Sequence, residues 1–216
     1  MTTSWNSTER FDRAAAEWDE NPRRTALAAG IAQAILETVN PDSSMQAMEF
    51  GCGTGLLTLA LAAHVGKLTA IDTSPEMLAI LQKKIDTLGI SSVETRCLDL
   101  VQQPGIITKL ENLDLIFSSM TLHHIADTKA LLERLSGFLR TGGIVAIADL
   151  DPEDGFFHDD DAEEVHPGFE RSQLHSILEN AGFGKIAFKT AYEVHKTNRS
   201  GILKTYPVFL VTAVKL

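Results

Sequence analysis

The chain is poor in cysteine, in clustered basic residues and in long apolar runs, and each shortage removes a class of function. Only Cys52 and Cys97 occur among 216 residues. Two cysteines cannot frame a disulfide-stapled fold, and neither sits in a metal-ligand spacing. Nineteen Lys and Arg stand against twenty-nine Asp and Glu, a formal charge of −10. Nonspecific nucleic-acid affinity comes mostly from phosphate contacts, so a chain of this charge repels DNA and RNA, and no Lys/Arg cluster offers a footprint. The same sign opposes an anionic membrane surface. No stretch approaches the roughly 18 apolar residues of a membrane span. The opening MTTSWNSTERFDRAAAEWDE has no basic segment leading into an apolar one. A cytoplasmic enzyme with no nucleic-acid partner and no membrane insertion is the expectation. At 44% hydrophobic the chain has the apolar content to bury one sizeable core, so a single domain over 1–216 is expected.

Strand-like and helix-like runs alternate through most of the sequence. Residues 8–18 read as a helix. Asn21-Pro22 caps a second helix through about Val39, and Pro41-Asp42-Ser43-Ser44 breaks it. Met45–Phe50 is a short apolar strand, Leu56–Val65 a Leu/Ala-rich helix and Lys67–Ile71 a strand. Ser74-Pro75 caps a helix that Gly89 stops. Strands follow at Val93–Leu98 and Leu113–Ser118, then a helix over Thr128–Leu139 stopped by Thr141-Gly142-Gly143, then a strand at Ile144–Leu150. Repeated strand–helix units with apolar strands imply an α/β fold, a parallel sheet covered on both faces. Residues 151–168, with eight acidic residues, read as a loop. Arg171–Asn180 is helical, and Phe183–Val194 and Tyr206–Val214 could pair as a long hairpin.

The glycine-rich turn Glu49-Phe50-Gly51-Cys52-Gly53-Thr54-Gly55 falls between the first strand and its helix. Glycine there permits positive φ and close approach of a ligand. That is where nucleotide-like ligands bind open parallel sheets. The third glycine comes one residue early for the dinucleotide pattern G-x-G-x-x-G. A pyrophosphate needs exposed amides at a helix start. S-adenosylmethionine instead carries an ammonium, a carboxylate and a sulfonium, and Glu49, two residues before Gly51, suits its cationic end. Asp72 closes the second strand, and its carboxylate can accept from two ribose hydroxyls. Asp99 closes the third and could accept from an adenine amino group, with Leu98 or Leu100 on the ring. Ser118-Ser119 closes the fourth, beside the expected methyl donor. Plainer readings exist for each: the glycines make a tight turn, Asp72 caps a helix, Asp99 serves a turn and Cys52 is a small filler.

The ordered series MEFGCGTGLLTLAL, AIDTSPEML, CLDL, LDLIFSSMTLHHI and LRTGGIVAIADL resembles the class I S-adenosylmethionine-dependent methyltransferases. It is most similar to their small-molecule branch of the ubiquinone/menaquinone-biosynthesis type. The resemblance covers roughly residues 45–150, and AGFGKIAFKTAY with YPVFLVTAVK resembles the family's closing strands. It implies a Rossmann-like seven-stranded sheet with the last strand antiparallel. The implied activity is methyl transfer from S-adenosylmethionine to a small molecule, with S-adenosylhomocysteine as product and no metal. It assigns Glu49, Gly51, Cys52, Gly53, Gly55, Asp72, Thr73, Met77, Asp99, Leu100 and Ser118 to the cofactor site. Residues 45–150 would form the cofactor core, 1–40 lid helices, 151–168 an acceptor-side loop, and 169–216 a closing helix and strands. Arg23 or Arg24 could reach the cofactor carboxylate, and Phe11, Trp18, Phe156, Phe157 and Phe169 could line the lid.

A general base is needed only where the acceptor must lose a proton. His123, His124, His158 and His166 are the candidates. If His123 and His124 are helical, they diverge by about 100°, so at most one faces the methyl donor. The acidic run from Asp151 to Glu164 could hold a metal with His158 and His166, or remain a solvated loop. Two other functions fit the same residues: a noncatalytic regulator that binds S-adenosylmethionine, and an NAD-dependent oxidoreductase that the glycine spacing disfavours.

Overall fold

The computed structural model describes residues 5, 7–102, 110–160 and 163–216. Parts of the expected lid (1–4 and 6) and of the acceptor-side loop (161–162) lie outside the described residues. The chain opens with α1 (Thr8–Ala14), which tightens into a 3-10 segment over Ala15–Glu20, and α2 (Pro22–Val39). The core follows as β1 (Gln46–Phe50), α3 (Leu56–Leu61), β2 (Lys67–Asp72), α4 (Pro75–Leu88), β3 (Val93–Cys97), β4 (Leu113–Ser119), α5 (Thr128–Phe138) and β5 (Leu139–Leu150). The chain closes with α6 (Arg171–Asn180), β6 (Phe183–Thr197) and β7 (Leu203–Lys215).

Helix starts follow local chemistry. Asn21 accepts from the Arg23 amide ahead of Pro22, and Ser74 accepts from the Met77 amide ahead of Pro75. Gly89, at φ 65°, ends α4. The Gly142-Gly143 pair behaves differently from the expected helix stop. Leu139 already pairs with Leu113, and the register then shifts so that Ile144 pairs with Leu115. The pair therefore lies inside β5 as a bulge. A side chain on Gly143 would meet the Leu113 and Arg140 carbonyls, so the close approach itself requires glycine.

The strands form one sheet in the order β3-β2-β1-β4-β5-β7-β6. β1 to β5 run parallel, and β7 is antiparallel to both β5 and β6. This is the seven-stranded Rossmann-like sheet that the resemblance implies. Strand residues alternate between two cores. Ala47, Leu115, Phe117, Ala148 and Val208 pack with α2, α3 and α4, while Met48, Ile116, Val145, Ile147 and Phe209 pack with α5 and α6. The direction of winding reverses between β1 and β4, and ligands of open α/β sheets bind at the carboxyl ends of strands beside such a reversal.

Candidate active site

At that reversal a cleft of about 160 Å³ opens between the ends of β1, β2 and β4 and the N-terminal segment. Its floor is the glycine turn. Gly51, Gly53 and Gly55 all take positive φ, at 70°, 52° and 84°. A Cβ at Gly51 would collide with Thr121 and one at Gly55 with Leu81, whereas one at Gly53 would meet no protein atom. Gly53 thus bares its backbone to the cleft. The turn's amides are already used: those of Gly51 and Cys52 donate to the Ile71 carbonyl (2.8 and 3.0 Å), that of Gly55 to the Cys52 carbonyl (2.9 Å) and that of Gly53 to Asp72 Oδ2 (2.7 Å). A pyrophosphate would find these four donors occupied.

Two carboxylates face the cleft. Glu49 is 2% exposed and accepts from the Thr58 hydroxyl. Burial holds its carboxyl well above the usual range, Thr58 opposes this, and Asp72 adds to the rise. Asp72 accepts from the amides of Gly53 and Ser74 (2.7 and 2.9 Å). Burial raises its pKa, and those hydrogen bonds offset part of the rise. The helix cap is Ser74, so the capping role open to Asp72 is already filled. Neither carboxylate has an ion-pair partner among the described residues. A cation entering here would relieve both. On the opposite wall, the Arg24 guanidinium stacks 3.7 Å from the Trp18 ring centroid. Phe11, Trp18, Thr73, Met77, Leu98, Ser119 and His124 also line the cleft.

The N-terminal segment is fastened over this cleft. Asp12 accepts from the Ser74 hydroxyl (2.5 Å), and Asp19 accepts from Thr54 (2.6 Å) and pairs with Lys84.

Behind His124 lies a cluster drawn from four segments, the N-terminal helix, the turn after β4, the end of β5 and the loop that follows it. His123 Nδ1 lies 2.7 Å from Asp149 Oδ1, both side chains being fully buried. The rings of His123 and His124 are 4.1 Å apart, and those of His123 and His158 are 5.0 Å apart. Glu163 pairs with Arg10, and its carboxylate lies 3.3 Å from His124 Nδ1 and 3.2 Å from His158 Nδ1. Burial depresses the pKa of His124 well below the usual value, and it lowers that of His158 to about 3; neighbouring positive charge adds to both shifts.

The structure gathers Glu49, Gly51, Cys52, Gly53, Asp72, Thr73, Met77, Arg24 and His124 around one cleft. Other named residues fall elsewhere. Gly55 packs under Leu81. Leu100 is buried in the core with α5, and Leu98 takes the cleft position. Ser118 turns inward to donate to the Phe50 carbonyl (2.7 Å), leaving Ser119 at the wall. Asp99 Oδ1 accepts from the Val101 and Gln102 amides and closes a turn. Arg23 is exposed. Phe157 packs on Tyr206, Phe156 lies under Arg199 and Phe169 joins the core. His166 lies 2.9 Å from the Ile125 carbonyl and stacks with Phe169. The acidic loop is not simply solvated: Asp151, Asp154 and Asp159 pair with Arg171, Lys204 and Lys196. Among the described residues no group of His, Cys, Asp and Glu is arranged to hold a metal ion. Asp149 and Glu163 escaped the sequence reading. For Asp149 a signal existed, a lone acid inside the apolar strand IVAIADL; Glu163 looked like any other acid of its run.

Residues 47–143 match the methyltransferase-domain family. An uncharacterized methyltransferase of Schizosaccharomyces pombe is 28% identical over 152 residues, covering 64% of this chain and 53% of that protein. The chain spans about half the length of the curated relatives it matches first. Among solved structures, a possible histamine N-methyltransferase from Thermotoga maritima aligns over 99% of this chain and 100% of its own, with a TM-score of 0.70 and 17% identity. Phosphoethanolamine N-methyltransferase 2 of Haemonchus contortus, solved with S-adenosylhomocysteine and phosphomonomethylethanolamine, gives a TM-score of 0.68 at 19% identity, over 85% of this chain and 52% of that one. Residues 47–143 thus match a methyltransferase domain, and the fold is that of solved methyltransferases, one of them holding S-adenosylhomocysteine.

Proposed function

We propose that this protein transfers the methyl group of S-adenosylmethionine to a small-molecule acceptor. The supporting observation is a pair of carboxylates without an ion-pair partner among the described residues, buried Glu49 and half-buried Asp72, beside a glycine turn whose amides are already bonded. That surface suits a cationic, phosphate-free ligand and repels a pyrophosphate. Glu49 takes the ammonium side, Arg24 the carboxylate, and Asp72 the ribose hydroxyls. Met77 and Leu98 flank the adenine. Methyl transfer from a sulfonium has a good leaving group, so the protein contributes chiefly proximity and alignment. The lid formed by α1 and the 3-10 segment after it excludes water from the reacting pair. The acceptor enters from the side of His124 and the loop over 151–168, a space suited to a small molecule; the net charge of −10 opposes a nucleic-acid acceptor.

Calorimetric titration tests this reading. S-adenosylhomocysteine should bind, and NADH should not. Because burial raises the pKa of the Glu49 carboxyl and a bound ammonium would lower it, ligand binding should be linked to proton release. Repeating the titration in buffers of different ionisation enthalpy measures that release. Tight NADH binding without S-adenosylhomocysteine binding would overturn the assignment.

A further inference from the structure

We propose that Met120 walls the acceptor side of the cleft, where it limits the size of the acceptor, and that the acceptor is an uncharged aromatic molecule. The inference rests on the methyl-transfer reading above.

Four described residues other than glycine have positive φ: Asn40, Asn112, Met120 and Lys185. Asparagine tolerates that conformation, and Lys185 lies where the register of β6 shifts between Gly184 and Ala187. Met120, at φ 53°, is the one of the four that lines the cleft. A long side chain takes left-handed backbone only where its surroundings impose it. Here both neighbours do. The Met120 amide donates to the Ala148 carbonyl (2.9 Å), and the Thr121 hydroxyl lies 3.0 Å from the Ser119 carbonyl oxygen and 3.3 Å from that of Gly51. A glycine at 120 would keep these contacts without strain, so the turn by itself gives no reason for a methionine. The conformation also decides where the side chain goes. Along β4, Leu115 and Phe117 pack in the core with α2, and Ile116 packs in the core with α5. Continued alternation would send residue 120 to the side of Ile116. Met120 instead packs against the α2 core and joins the cleft wall.

The rest of that wall selects the acceptor. Phe11, Trp18, Leu27, Ala28 and His124 line the cleft with Met120. Phe11 meets Trp18 and His124 edge-on, with ring centroids 5.9 and 5.3 Å apart. Burial depresses the pKa of His124, so its ring adds no charge near neutral pH. The charged groups of the cleft are Glu49, Asp72 and Arg24, and in the proposed arrangement the cofactor takes all three. A charged acceptor would therefore lose its water at this wall without gaining a counter-ion. An aromatic acceptor loses little water, offers edges and faces to the rings around it, and makes a favourable contact with a thioether. Methionine is unbranched and fills irregular space, so its reach sets how large a ring fits beside the methyl donor.

The test uses the whole protein saturated with S-adenosylhomocysteine and labelled at its methionine methyl groups. The chain has five methionines, and the Met120 signal is assigned by its loss in Met120→Gly. Phenol, aniline and 2-naphthol should each shift the Met120 signal saturably and leave that of Met48, wholly buried in the core, in place. The charged ring 4-hydroxybenzoate should bind about tenfold more weakly than phenol or worse. Met120→Gly should leave S-adenosylhomocysteine affinity near the wild-type value and move the ratio of 2-naphthol to phenol affinity about tenfold toward the larger ring. Met120→Asn, with a short residue that tolerates positive φ, should do the same if the glycine loosens the turn. With methyl-labelled S-adenosylmethionine as donor, phenol or aniline should be methylated, and turnover should follow the order of binding. Overturning results are no saturable Met120 shift, equal binding of 4-hydroxybenzoate, no methylation of any uncharged ring, or an unchanged size preference in a variant that still binds S-adenosylhomocysteine. Loss of S-adenosylhomocysteine binding in both variants would place Met120 against the cofactor and overturn the proposal as well. Failure of S-adenosylhomocysteine to bind wild-type protein would instead strike the methyl-transfer reading itself.

Discussion

The two sides of the site that we propose hold cofactor and acceptor are built from different materials. The cofactor side is one strand–turn–helix unit with its neighbour: Glu49 to Gly55, then Asp72 to Met77. Its shape depends on backbone conformations that only glycine takes easily, and its two acids lie at strand ends. The acceptor side assembles Arg10, His123, His124, Asp149, His158 and Glu163 from distant parts of the chain. One region is positioned by local chain geometry, the other by tertiary packing of titratable side chains. The two should therefore fail in different ways.

Acid should break the acceptor side first. His158 has a folded pKa of about 3 against an ordinary value of 6.5. Between these values the unfolded chain binds a proton that the folded chain refuses, so stability is present above pH 6.5 and falls as pH drops. His158 alone should remove about 2 kcal/mol between pH 6.5 and about pH 5, and His124, depressed for the same reason, acts in the same direction. Denaturant unfolding at a series of pH values reads this directly, and His158→Gln should flatten the slope. An unchanged slope in that variant would show that His158 is not the group responsible.

Gly51→Ala should break the cofactor side. The residue sits at φ 70°, and its new methyl would enter the Thr121 side chain. Left-handed backbone costs a non-glycine residue about 1–2 kcal/mol, and overpacking adds about 1–3 kcal/mol. Gly53→Ala sharpens the contrast. Its φ is also positive, at 52°, but no protein atom stands in the way. It should lose only the backbone term in stability, about 1–2 kcal/mol, and lose S-adenosylhomocysteine affinity because the methyl points into the ligand's space. Thermal melts with and without ligand separate the two.

This asymmetry explains what the sequence made legible. The order of strands, the capped helices at Asn21 and Ser74 and the cleft positions of Glu49, Gly53 and Asp72 all depend on residues within a few places of one another. Spacing and capping rules reach that far. Ser118 and Ser119 were separable only by strand alternation, which puts neighbours on opposite faces. Leu98 and Leu100 depended on where a turn closes, and Asp99 closes it. The link from His123 to Asp149 crosses a helix and a strand, so no local pattern announces it. Glu163 is one acid in a run of acids until the fold buries it at 6% exposure.

Asp72→Ala comes next in size. On the ribose-binding reading it should cost about 1–3 kcal/mol of S-adenosylhomocysteine affinity, or roughly five- to a hundredfold in Kd. The same change frees the amides of Gly53 and Ser74, so some stability is lost as well. Asp72→Asn keeps an oxygen for one of these amides and should recover stability more than affinity. Recovery of both together would make Asp72 a brace for the turn and no more.

The smallest effect should come from the fastening between lid and core. Asp19 accepts from Thr54 at 2.6 Å and pairs with Lys84, whose ammonium also donates to the Thr54 carbonyl at 2.7 Å. Its side chain is about one-third exposed, and ion pairs in contact with solvent contribute about 0–1 kcal/mol. Asp19→Ala should therefore hardly move the melting temperature. The contact lies between the 3-10 segment and the glycine turn, so removing it should act on the opening of the lid. A closed lid slows ligand escape more than entry, because most affinity differences between related complexes reside in dissociation. Stopped-flow displacement of S-adenosylhomocysteine should show dissociation a few-fold faster, with association nearly unchanged. Added salt should weaken the wild-type lid toward the variant, because screening acts on exposed pairs. A variant that dissociates at the wild-type rate would show that Asp12 and the aromatic pair Phe11 and Trp18 hold the lid without Asp19.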